Sequence, residues 1–161
     1  MAWSLKTPDE VVPFHTLAQI LAAKPGEIYS VRPTDSAYTA LAAMAEKRVG
    51  FMLVMEGEKL VGVLSERDYI RKLVPSGSSA QDASVGELMT REVITVTLAQ
   101  HVRDCVRLMD RHGIRHLPVV EGSRVVGVLS VRDFLREAVV HHEKVVQEME
   151  RERMTIFNSP A

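Results

Sequence analysis

Residues 27–72 of this chain return, in register, as residues 92–137, at a constant offset of 65 and without a gap. Glu56-Gly57 lies over Glu121-Gly122, and Gly62-Val63-Leu64-Ser65-Glu66-Arg67-Asp68 over Gly127-Val128-Leu129-Ser130-Val131-Arg132-Asp133. Upstream, Val31 matches Val96, Met44 matches Met109 and Val54 matches Val119. A duplication of this kind constrains the architecture before any one residue is read. A solenoid needs at least three copies, so two copies predict a closed pair of half-domains about a pseudo-two-fold axis.

Within each copy the pattern is the same. Ile28 to Arg32 and Val93 to Thr97 read as β-branched strands. Ala37, Ala40, Leu41 and Met44, like Val102, Cys105, Val106 and Met109, recur at i, i+3, i+4 and i+7, which predicts an amphipathic helix. Phe51 to Met55 and His116 to Val120 follow as strands. Glu-Gly turns lead into Leu60 to Leu64 and Val125 to Leu129, and a helix starts at Glu66 or Val131. Short leading helices precede each copy, His15 to Ala23, stopped by Pro25-Gly26, and Ser84 to Met89. The fold class is α/β (α+β), with the order helix–strand–helix–strand–strand–helix given twice. The boundaries read as a leader at 1–14, a first domain at 15–75, a Gly/Ser-rich linker at 76–83, a second domain at 84–141, and a C-terminal helix extension and tail at 142–161. The second closing helix is expected to run from Val131 to about Met154. Its apolar residues amid many charges fit either a solvated overhang or a dimer contact.

Composition narrows the function. Of 161 residues, 46% are hydrophobic but only 5% aromatic, so the core is aliphatic. A formal net charge of −1 is no general attractor for nucleic acid or anionic membrane. No apolar run approaches the roughly 18 residues of a membrane span, and nothing at the N-terminus reads as a signal peptide. Cys105 is the single cysteine, so no intrachain disulfide can form. Its inward helical position reads as packing. The expectation is a soluble, cytoplasmic protein.

The paired Ser-x-x-Asp segments carry the chemistry. Each Ser ends a strand and each Asp falls in the first turn of the next helix. One reading is a capping box. The other is a ligand site, because a helix N-terminus presents free N–H groups to phosphate and a carboxylate accepts from hydroxyl donors. The two are compatible. His141-His142 is a poor metal pair, since neighbours on a helix point about 100° apart, and no Cys/His/Asp cluster supports it. No nucleophile–base constellation is present, so no enzyme is expected.

The doubled Gly-Val-Leu-Ser-x-Arg-Asp block, each preceded by a hairpin, and the stretch His112 to Val120 resemble the cystathionine-β-synthase-type (CBS) domain. Two in tandem resemble a Bateman module, and the likeness covers about residues 15–141. It implies a regulatory module with clefts for an adenine nucleotide, AMP first and NAD(H) as the second candidate, with ADP, ATP and S-adenosylmethionine bound by other members. It implies no obligatory cofactor, no metal, a homodimer through the domain helices, and an unidentified regulated protein. The Ser position would meet phosphate and the Asp ribose. The second cleft would use Arg115, His116, Ser130, Arg132 and Asp133, borrowing Tyr29, Val49 and Gly50 from the first repeat. The first would use Ser65, Arg67, Asp68, Phe51, Ile94 and Ile114. Gly50 and Phe51 stand where Arg115 and His116 stand, so the stronger phosphate site is expected in repeat two. The alternative is a structural or interaction dimer whose clefts are degenerate and empty.

Overall fold

The computed structural model describes residues 13–24 and 26–157, with side chains to residue 154. Most of the expected leader, and the last four residues, lie outside that range. The elements are α1 (Leu17–Ala22), β1 (Ser30–Val31), α2 (Ala37–Lys47), β2 (Phe51–Glu56), β3 (Lys59–Ser65), α3 (Glu66–Asp68), a π-helical turn (Tyr69–Leu73), α4 (Val74–Ser76), α5 (Val85–Leu88), α6 (Val102–His112), β4 (His116–Glu121), β5 (Arg124–Ser130) and α7 (Val131–Phe157). They fall into two compact units. The sheet unit holds residues 25–97 and 116–128, and the helix unit holds residues 1–24, 98–115 and 129–161.

In the sheet unit, β1, β2 and β3 form a three-stranded sheet in that order, with β1–β2 parallel and β2–β3 antiparallel. The two-residue loop Gly57-Glu58 joins β2 to β3, and Gly57 takes φ 60 there. Only the first loop residue is left-handed, which is the type II′ pattern that suits a hairpin's twist. Gly122 repeats it with φ 60 between β4 and β5. Met52, Leu53 and Val54 are all buried, as a strand covered on both faces requires. Helix α2 starts at Ser36, whose Oγ accepts from Thr39 N, and turns Ala37, Ala40 and Met44 into the core with Val31, Val54, Leu64 and Val85. In the helix unit, α6 buries Val102, Cys105 and Met109, the residues offset by 65 from the buried three of α2. Helix α1 begins in a capping box between Thr16 and Gln19 and buries Leu17 and Ile20.

Two expectations need correction, and proline chemistry explains both. The strand expected at Val93 to Thr97 is a single bridge, Val96 with Val119. In repeat one, Leu53 N donates to Tyr29 O at 3.0 Å. The residue offset by 65 from Leu53 is Pro118, which has no N–H to give Ile94, so the parallel ladder stops there.

The first closing helix is not one α-helix. Its middle, Tyr69–Leu73, is π-helical, and Val74 N reaches back five residues to Tyr69 O. Pro75 follows, and its ring and missing N–H disturb the i−4 bond, which favours the wider turn. Gly77 at φ 69 then ends the segment. At the matching position of repeat two stands Val140, and α7 runs unbroken for 27 residues, three past the expected Met154.

The caps of α2 and α6 also differ. Both helices end in a left-handed residue, but one is Gly113 at φ 60 and the other Arg48 at φ 55. Glycine adopts that conformation without a steric cost, and arginine does not.

Candidate functional site

Each Ser-x-x-Asp segment sits where a strand runs straight into a helix. In the sheet unit, Ser65 closes β3 and caps α3. Asp68 Oδ2 accepts from Ser65 N at 2.9 Å and from Ser65 Oγ at 2.6 Å, while Asp68 N donates to Ser65 Oγ at 3.4 Å. In the helix unit, Asp133 Oδ2 accepts from Ser130 N and Ser130 Oγ, both at 2.7 Å. The reciprocal capping box is therefore complete at Ser65, and at Ser130 its carboxylate half is present. It leaves open what else the carboxylates do.

Both carboxylates also meet a cation, and by different routes. Asp68 Oδ1 lies 3.2 Å from Lys72 Nζ and accepts from Thr90 Oγ1 at 3.1 Å. Asp133 Oδ2 lies 2.8 Å from Lys24 Nζ. Burial pushes each carboxyl upward. For Asp68 the bonds from Ser65 and Lys72 outweigh it, and for Asp133 those from Lys24 and Ser130 do, so both sit below the ordinary carboxylate range. Both are anionic near neutrality and can only accept hydrogen bonds.

The approach of Thr90 depends on Gly62. Residues 89–90 lie along β3, with Val63 N to Thr90 O at 3.0 Å and Thr90 N to Val63 O at 2.8 Å. A Cβ on Gly62 would come 2.6 Å from Met89 Sδ and 3.1 Å from Thr90 O. Sequence reading missed Thr90 and Lys24. The signal was present: each follows a short leading helix, and the offset of 65 carried back places Met89 over Lys24 and Thr90 over Pro25.

The surroundings of the two helix starts differ in charge. Glu66 N donates to Gly50 O at 3.2 Å, and Val131 N donates to Arg115 O at 3.0 Å, so the same backbone bond ties each helix start to the residue before a strand. In the sheet unit that pair is glycine and glutamate. The Glu66 carboxylate lies against Gly50, where a Cβ would be 2.7 Å from Glu66 Oε2. In the helix unit the pair is arginine and valine. One helix start thus carries an adjoining anion and the other an adjoining cation. Arg115 and Arg132 are exposed, and Arg67 is half-buried.

Phe51 and His116, the two residues at the start of β2 and β4, stack on each other with ring centroids 4.5 Å apart and 13° between planes. One face of Phe51 is therefore taken by a side chain of the protein. Tyr29 is half-buried against the sheet unit's core, and Ile94, Val49 and Gly50 are half-buried in the same unit. Ile114 belongs to the helix unit. With Arg115, Val106, Phe134 and Leu135 it lines an apolar groove of about 540 Å³ between α6 and α7.

Elsewhere, burial pushes the Cys105 thiol up to about 11, which makes it a poor nucleophile. His141 is buried and stacks on Phe14 at 3.9 Å. Among the described residues no group of three metal-ligating side chains gathers, and no helix is long and apolar enough to cross a membrane.

Known proteins share this fold. A solved protein with CBS domains from Burkholderia ambifaria MC40-6 is 40% identical, with a TM-score of 0.76, over 78% of this chain and 95% of that one. A crystal structure of CBSX2 in complex with AMP is 27% identical, with a TM-score of 0.64, over 78% of this chain and 96% of that one. The CBS domain-containing protein CBSX3, mitochondrial, of Arabidopsis thaliana is 35% identical over 120 residues, which span 71% of this chain but only 58% of that protein. The model of the CBS domain matches residues 24–75 and again 85–140. Two matches, each containing one of the Ser-x-x-Asp helix starts, place this chain in the CBS-domain family as a tandem pair.

Proposed function

We propose that the chain is a regulatory module that binds an adenine nucleotide reversibly and acts on a separate protein, without catalysing a reaction itself. The observation that carries this reading is the pair of Ser-x-x-Asp helix starts with both carboxylates held anionic. An anionic Asp accepts from both hydroxyls of a ribose, and the N–H groups of a helix start donate to a phosphate, joined by the Ser hydroxyl once the ribose replaces it on the Asp. CBSX2, a relative of the same fold, is known in complex with AMP, so AMP is the first ligand to test and NAD(H) the second. On this reading Ser130, Arg132, Asp133, Arg115 and His116 serve phosphate and ribose in the second repeat, with Tyr29, Val49 and Gly50 contacting the base. Ser65, Arg67 and Asp68 serve the first, with Phe51, Ile94 and Ile114 around the base. The adjoining Glu66 disfavours phosphate in repeat one, and Arg115 favours it in repeat two. A homodimer in the cytoplasm completes the proposal.

A charge-assisted bond from Arg115 to phosphate contributes about 1.5–3 kcal/mol. Calorimetry with AMP should therefore show tight binding lost in Asp133→Ala and mostly kept in Asp68→Ala. The opposite ranking would move the phosphate site to repeat one. Thermal shift unresponsive to AMP, ADP, ATP, NAD(H) and S-adenosylmethionine alike would favour the second reading, an interaction protein with empty clefts. That reading has its own support, since the capping bonds at Ser65 and Ser130 account for both Asp residues without a ligand.

A further inference from the structure

We propose that the Ser65–Asp68 site is latent, held shut by the protein's own Thr90 and Lys72, so that the chain takes one adenine nucleotide, at Asp133, until those two donors let go. This rests on the ligand reading above and narrows it. A carboxylate offers roughly four lone-pair positions, two on each oxygen. What each repeat leaves unfilled therefore decides where ribose hydroxyls can bind.

At Asp68 the chain fills them all. Ser65 N and Ser65 Oγ bond to Oδ2, and Thr90 Oγ1 and the Lys72 ammonium take Oδ1 at 3.1 and 3.2 Å. Both donors on Oδ1 are held there by backbone. Lys72 Nζ also bonds to Leu88 O at 2.7 Å and to Met89 O at 3.1 Å, at the end of α5. Thr90 is tied to Val63 on β3 through its own N–H and carbonyl. A ribose at Asp68 has to displace two donors that the fold keeps against Oδ1, besides the Ser65 hydroxyl.

At Asp133 the filling is one-sided. Ser130 N, Ser130 Oγ and Lys24 Nζ all meet Oδ2, and no donor among the described residues reaches Oδ1. A hydroxyl that binds Oδ1 asks nothing of Lys24. Exposure does not explain the contrast, since Asp68 is 17% exposed and Asp133 only 7%. An acceptor on a buried side chain that no protein donor satisfies finds its hydrogen bond in water or in a ligand. The sequence accounts for the missing guards. The offset of 65 matches Thr90 with Pro25, which has no hydroxyl, and Lys72 with Glu137, whose carboxylate is engaged by His15. Both copies keep the Asp, and only the first keeps donors for its second oxygen.

The test is calorimetry of the full chain with AMP, with melting curves as the folding control. The wild type should take one AMP per chain, and Asp133→Ala should lose it. Thr90→Val with Lys72→Met, added to Asp133→Ala, should recover AMP binding at least about ten-fold tighter than Asp133→Ala alone. The same pair in an otherwise wild-type chain should raise the stoichiometry from one to two, and Asp68→Ala on top should return it to one. Thr90→Val by itself, which keeps the side chain's shape, should give a smaller gain of the same sign, and it decides the matter if loss of Lys72 unfolds the chain. Two AMP of similar affinity on the wild type would overturn the proposal and leave the ligand reading in place. So would a single AMP lost in Asp68→Ala and kept in Asp133→Ala, or folded opened variants that gain nothing. A wild type that binds no AMP would overturn both.

Discussion

At the scale of single residues, pH tests what the two aspartates contribute. Their carboxyls are depressed in the folded state, while in the unfolded chain they titrate at about 3.9. The stability they confer is therefore complete above that value and is lost as pH falls through the lower folded values. Melting temperature should hold level from pH 7 to 5 and fall below about pH 4. Asp133→Asn, scanned over the same range, should start less stable and fall less steeply. An acid limb as steep as the wild type's would show that Asp133 is not among the groups responsible. Arg48 offers a second residue-scale test. It holds φ 55 where its repeat equivalent is Gly113. Arg48→Gly should stabilise the chain by about 0.5–1 kcal/mol, since relief of the left-handed strain exceeds glycine's entropy cost in the unfolded state. A lower denaturation midpoint in urea would contradict this.

At the scale of elements, proline decides what the repeats do not share. Pro118 lacks the donor that Leu53 gives to Tyr29, and Pro75 stands where Val140 lets α7 continue. Pro118→Leu restores an amide that can reach Ile94 O. Hydrogen exchange followed by NMR should find the new amide at position 118 protected, with protection also raised at Val96. A rapidly exchanging amide would mean that residues 93–97 are held away from β4 by something other than the missing bond. Pro118 is fully buried, so the larger leucine also tests how well that core yields.

For the whole molecule, the exposed apolar positions recur by repeat. Ile70 and Leu135 are 63% and 64% exposed, and Val74 and Val139 are 63% and 52%. Each pair is offset by 65, so the duplication has kept apolar residues on the outward side of both closing helices. Along α7 the exposed stripe continues through Val146 and Met149. Apolar side chains kept in solvent at matching positions favour a surface that pairs with a second copy. Light scattering should give twice the mass of one chain. Truncation after His142, which removes Val146 and Met149, should weaken the dimer. A truncated chain of undiminished dimer affinity would assign the contact to the upstream residues alone.

The sequence by itself determined the repeat, the fold class and the two Ser-x-x-Asp helix starts, because each of these is a local or periodic property. Alternation, the i, i+3, i+4 spacing and a Ser three residues before an Asp are written along the chain. It also carried, unread, the prolines at 75 and 118, whose effects follow from a missing N–H. Lys72 meets Asp68 from four residues along the same segment, but tertiary structure alone decided which cation meets Asp133. Lys24 and Asp133 are 109 residues apart, and no periodicity relates them. The same holds for Thr90 on Asp68, which needs the gap that Gly62 leaves in β3, and for Phe51 on His116, where two strand starts bring their rings together. Short-range geometry is fixed by covalent neighbours, whereas a long-range ion pair exists only once the packed backbone has delivered both ends to one place.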